Sequence, residues 1–108
     1  MGTTSVGAKW VGYGVYLQRL IETIQTQWHR NIRFESGTLP SGTVIVRIKI
    51  DSEGMASALA DPTSTSSKRA ADLCISAITA RSPYGKWSDD MIAVLGDSQE
   101  MTFTFHYK

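Results

Sequence analysis

The sequence predicts an α+β fold, a two-layer sandwich in which a small three-stranded antiparallel sheet carries two main helices on one face, in the order α-β-β-α-short α-β. Three stretches lead to it. Gly42 to Gly54 alternates apolar and polar residues and then turns, Tyr13 to Trp28 repeats apolar residues at helical spacing, and Met101 to Tyr107 alternates again. Two of the strands are joined by a tight turn, so they run antiparallel and an all-parallel sheet is excluded. The 108 residues suffice for one domain with its own core.

Residues 1–11 are expected to be a linker or a cut end before a domain spanning 12–108, because Met1 to Ala8 is small, polar and without periodicity. The chain is accordingly expected to be a fragment of a longer protein. From Tyr13 onward, Tyr13, Leu17, Leu20, Ile21, Ile24 and Trp28 recur at three and four, with Gln18, Arg19, Glu22, Gln25 and Gln27 between them. That spacing predicts an amphipathic helix over Tyr13 to Trp28. The polar run Glu35 to Ser41, which contains Pro40, predicts a surface connection.

Val44, Val46, Ile48 and Ile50 share one face of the first strand, while Arg47, Lys49 and Asp51 share the other with Ile45. Asp51-Ser52-Glu53-Gly54 ends it as a hairpin connection built on a type I turn, since Asp bonds its own backbone two residues on and Gly accepts positive φ. Met55 to Ala60 is predicted as a short second strand, stopped by Asp61-Pro62 because proline brings no ladder donor. Thr63 to Ser67 is expected to be a polar loop with Ser66 and Ser67 as candidate N-caps. A second helix follows to about Arg81, with Ala71, Cys74, Ile75 and Ile78 on one face and Cys74 in the core. Ser82 to Trp87 breaks the pattern, and Ser88 then caps a short helix carrying Met91, Ile92 and Leu95 that Gly96 closes. In the last strand Met101, Phe103, Phe105 and Tyr107 face inward, and Glu100, Thr102, Thr104 and His106 face outward.

Composition excludes several function classes. Eleven Lys and Arg against ten Asp and Glu leave a formal charge of +1, which gives nucleic acid or an anionic membrane no electrostatic footprint. The single cysteine, Cys74, allows no internal disulfide and no multi-cysteine zinc site. No run approaches the roughly 20 apolar residues of a membrane span. His29 and His106 have no Asp or Cys partner nearby in sequence, and Asp89-Asp90 is explained by the helix dipole at the start of the short helix. Gly12 and Gly14 lack the preceding strand and third glycine of a phosphate cradle. Trp10, Trp28 and Trp87 offer stacking surfaces, with packing the expected role of Trp28. No catalytic residue, metal or cofactor is expected; an enzyme site around His29, Asp89 and Asp90 is the rival reading.

In order and spacing, five segments resemble the C-terminal domain of the TonB and TolA periplasmic proteins. These are Tyr16-Leu17-Gln18-Arg19-Leu20-Ile21 with Trp28, the whole of Gly42 to Gly54, Ala70 to Ile78, Ser82-Pro83-Tyr84-Gly85-Lys86-Trp87, and Thr102-Phe103-Thr104-Phe105. The short helix from Ser88 to Leu95 is closer to TolA-like and outlying TonB-like members, and the connection before Gly42 is longer than that pattern. The resemblance implies a periplasmic domain of an envelope energy transducer. Such a protein reaches the inner membrane only through an N-terminal anchor outside these residues, crosses the periplasm on a proline-rich linker, and grips an outer-membrane receptor or another envelope protein.

An open sheet has edges, and an edge strand presents unpaired N–H and C=O groups. The last strand is the expected edge, being long, regular and free of proline. A partner segment is therefore expected to pair along Gln99, Glu100, Met101, Thr102, Phe103, Thr104, Phe105, His106 and Tyr107, with Tyr84 and Trp87 lining a flanking pocket. The alternative use of the same edge is a structural scaffold, or a homodimer formed by self-association.

Overall fold

The computed structural model describes the backbone from Thr4 to Lys108 and the side chains from Gly12 onward. The first helix, α1, spans Thr4–Arg33 and so outruns the predicted helix at both ends. Of residues 1–11, the first three lie outside the described residues and the others are helical in backbone; the stacking surface of Trp10 falls outside the described side chains. Beyond Trp28 the helix continues because Ile32 repeats the apolar spacing, and Arg30 and Arg33 complement the negative end of the helix dipole. Asn31 fixes this last turn by donating to the Leu73 carbonyl at 3.2 Å.

The sheet is built on β1 (Gly42–Asp51), flanked on one side by β2 (Ala56–Ala58) and β3 (Thr63–Ser64) and on the other by β4 (Ser98–Tyr107), all antiparallel. Three strands were expected, and the second is divided. Ala58 pairs with Ile48 and Thr63 with Ile45, so the chain takes five steps where β1 takes three, and the surplus around Asp61-Pro62 leaves the ladder as a bulge. Proline breaks the pairing, as its missing donor requires, but the chain re-enters at Thr63 instead of staying a loop. At the hairpin, Asp51 Oδ1 accepts from the Glu53 and Met55 amides at 3.0 and 2.9 Å, and Gly54 adopts φ 85°.

Helix α2 (Lys68–Thr79) is capped by Ser67, whose hydroxyl accepts from the Ala70 amide at 3.0 Å. Helix α3 (Asp89–Leu95) is capped by Ser88 in the same way and closed by Gly96 at φ 79°. Both long helices lie on one face of the sheet, where Val44, Val46, Ile48, Ile50, Leu20, Ile24, Cys74 and Ile78 form a closed core. Burying each large aliphatic side chain there stabilises the fold by roughly 1.5–3 kcal/mol. The buried alanines Ala70, Ala71 and Ala77 let α2 approach the sheet closely.

Candidate functional site: the open edge of β4

Backbone geometry shows which groups on β4 are free. Along β1, the Thr43 and Arg47 carbonyls accept from Thr65 and Leu59, both at 2.9 Å, and the Asp51 amide donates to the Met55 carbonyl at 3.1 Å. The odd-numbered residues of β1 thus turn toward β2 and β3, and Val44, Val46, Ile48 and Ile50 turn toward β4. Their register partners Phe105, Phe103, Met101 and Gln99 are therefore the ladder residues of β4. Glu100, Thr102, Thr104 and His106, paired with the odd residues, direct their N–H and C=O groups away from the sheet. Apart from a 3.4 Å approach of Gln99 Nε2 to the Glu100 carbonyl, no described residue covers this row.

The opposite edge is blunted. β2 and β3 are short and interrupted by Pro62, the Ala56 amide is taken by Ser82 Oγ at 2.9 Å, and the Gly54 carbonyl is taken by the Tyr84 amide at 2.8 Å. β4 offers ten regular residues with nothing comparable along it.

Side chains above and below give this edge two different flanks. On the solvent face, Glu100 pairs with Arg47 at 3.1 Å and His106 Nδ1 lies 3.3 Å from Thr43 Oγ1. On the helix face, Met101 and Phe103 are half-buried while Phe105 and Tyr107 are buried, so the apolar row is sealed only at its Tyr107 end. Trp28 makes that seal, with edge-on contacts to Phe105 and Tyr107 at 5.1 and 5.2 Å and an indole N–H that donates to the Tyr107 hydroxyl at 2.9 Å. The Tyr107 hydroxyl in turn donates to the Ala70 carbonyl at 2.8 Å, and burial raises its pKa. Burial also pushes the neighbouring Cys74 thiol up to about 11, which makes it an inert core group.

Beside the seal, a groove of about 520 Å³ opens between the end of α1, the loop at Gly37 and Leu39, and the end of β4; Trp28, His29, Ile32, His106, Tyr107 and Lys108 complete its lining. Neither Ile32 nor Leu39 belonged to the expected site. Ile32 falls four residues after Trp28, a spacing that was there to be followed, whereas Leu39 is a lone apolar residue in a polar run and carries no such signal.

Tyr84 and Trp87 sit at the other end of the sheet. Their amides bond the Gly54 and Ser52 carbonyls at 2.8 and 2.9 Å. The Tyr84 hydroxyl donates to the Ile78 carbonyl, and burial pushes its pKa up to about 12. Trp87 is only 5% exposed and packs edge-on against Tyr16 with centroids 6.5 Å apart. Its buried Nε1 has no hydrogen-bond partner among the described residues, and the nearby Tyr16 hydroxyl donates to the Gly85 carbonyl at 2.8 Å. These two aromatics pack the turn end of the domain and do not flank the middle of the edge.

The residues of the rival enzyme site are not brought together. His29 lies against Trp28 at the Tyr107 end, whereas Asp89 and Asp90 follow Trp87 at the turn end. Among the described residues, no group of three or more His, Cys, Asp or Glu is placed to hold a metal, and no helix is long and apolar enough to cross a membrane. No protein-family model matches the chain, and neither a curated protein nor a solved structure matches it.

Proposed function

We propose that this domain is a non-catalytic binding module of a TonB/TolA-type envelope energy transducer, which docks an extended segment of an outer-membrane or periplasmic protein as an added strand on β4. The outward backbone row of Glu100, Thr102, Thr104 and His106 carries the reading. It is a long, unprotected edge in a sheet whose other edge is closed, and natural proteins seldom leave such an edge without a use. The order and spacing of the TonB-like and TolA-like segments support the periplasmic setting and the transducer role.

Magnitudes set the kind of grip. The four residues offer one donor and one acceptor each, and eight bonds at a net of about 1 kcal/mol give about 8 kcal/mol. Association costs roughly 4–15 kcal/mol, so backbone pairing by itself yields a weak, reversible complex. Side-chain contacts must supply the remainder.

Peptides as long as β4, ten residues, selected for binding to this chain, provide the test. Bound peptide is expected to shift the amides of Gln99 to Tyr107 first, and Thr104→Pro is expected to abolish binding with little loss of stability. Proline at that position removes an outward donor and leaves the ladder to β1 intact. Shifts confined to residues 12–28 would refute edge pairing. Self-association is the competing use of the edge; sedimentation showing concentration-dependent size without peptide, abolished by Thr104→Pro, would favour it.

A further inference from the structure

We infer that the groove between the end of α1 and the Tyr107 end of β4 is the specificity pocket of this edge, receiving one large apolar side chain of the docked segment with a carboxylate residue beside it. The inference rests on the strand-docking reading and adds what the segment must contain.

Position comes first. A strand laid on β4 places alternate side chains on the helix face, next to the inward row of Met101, Phe103, Phe105 and Tyr107. At most of its length that row meets solvent on its outer flank; at the Tyr107 end the added side chain meets the groove instead. The groove is thus continuous with the backbone row that would hold the partner.

Its chemistry specifies the occupant. A volume of about 520 Å³ lies within the range of pockets that enclose small ligands, roughly 300–1,000 Å³, so an aromatic or branched aliphatic side chain fits. Trp28, Ile32, Leu39 and Tyr107 supply apolar walls. Two of these walls are already fixed, since Trp28 and Tyr107 are hydrogen-bonded at 2.9 Å and in edge-on contact, which lowers the ordering cost of binding.

Charge chooses the neighbour of that side chain. His29 and Lys108 line the groove and are exposed, and Arg30 and Arg33 occupy the adjoining last turn of α1. None of the four is ion-paired among the described residues. The nearest acidic side chain in sequence, Glu35, is engaged by Arg69, whose guanidinium holds its carboxyl below the usual range. An Asp or Glu next to the apolar anchor would meet the Arg30, Arg33 and Lys108 charges of this rim, which also steer approach.

Randomised peptides as long as β4, ten residues, are selected against the immobilised 108-residue chain and, in parallel, against three variants. The native chain is expected to enrich Trp, Phe or Leu at one fixed position with Asp or Glu within two residues of it. Ile32→Glu should lose the apolar preference, and the double variant His29→Glu, Lys108→Glu, altered only at exposed positions, should lose the acidic one. On the native chain, replacing the anchor of the best peptide by Ala should weaken binding on the order of 30-fold while the β4 amides still shift. If the Ala peptide binds as well as its parent, or if no apolar position is enriched, the groove is not a specificity pocket and edge pairing stands. If Thr104→Pro selects the same peptides as the native chain, edge pairing fails and the inference fails with it.

Discussion

Tyr107 is the residue on which the geometry of the edge converges. Its hydroxyl accepts from the Trp28 indole, donates to the Ala70 carbonyl and lies 3.5 Å from Cys74 Sγ, so one phenol joins β4 to both long helices. Removing the hydroxyl alone tests that junction. Tyr107→Phe leaves the Trp28 N–H without its acceptor and the Ala70 carbonyl without its side-chain donor, at a cost of about 1–3 kcal/mol. In a domain of this size each kcal/mol lowers Tm by roughly 4–8 °C, and the end of β4 should also exchange its amides faster. An unchanged melting midpoint would mean that ring packing, not the hydrogen bonds, holds the strand.

The turn between β1 and β2 governs register at the scale of elements. Gly54 is held at φ 85°, and a Cβ built there would lie 2.7 Å from the Gly85 amide nitrogen, against backbone that cannot yield. Gly54→Ala therefore combines strain with a clash and should destabilise by at least about 2 kcal/mol, read as a lower urea midpoint with an unchanged slope. Asp51, Gly54 and the alternation on either side were legible in the sequence because each is a local signal with a single structural meaning. β2 was legible too, as a short strand ended by Pro62, but β3 was not: Pro62 announces a break in pairing, whereas re-entry at Thr63 depends on Val44 and Ile45 being available across the bulge. The same limit applies to the site. The β4 edge follows from alternation within one segment, whereas the groove draws its walls from α1, a polar loop and the end of β4, three segments with no common period. Trp87 likewise was expected to line a pocket beside the edge, and its burial depends on the hairpin folding against it.

For the whole molecule, the two layers are tied together by neutral hydroxyl and thiol groups. Tyr107 links β4 to α2, Tyr84 links the loop before α3 to α2, Tyr16 links α1 to that loop, and Cys74 lies within the core. Burial raises all four pKa values, to about 11 for Cys74 and about 12 for Tyr84. Such groups favour the folded state while protonated. Their contribution is complete below the unfolded values, about 8.5 for Cys and 10 for Tyr, and is lost as pH rises through the folded ones, because the unfolded chain releases its protons first. Tm should accordingly hold steady from about pH 6 to 8 and fall on the order of 10 °C by about pH 10.5, as followed by circular dichroism. Cys74→Ala should flatten the first part of that fall, since it removes the group with the lowest unfolded pKa, whatever it does to Tm at neutral pH. If the native chain and Cys74→Ala lost stability in parallel above pH 8.5, the thiol would not be the group that titrates first, and the alkaline weakness would belong to the tyrosines that join the layers.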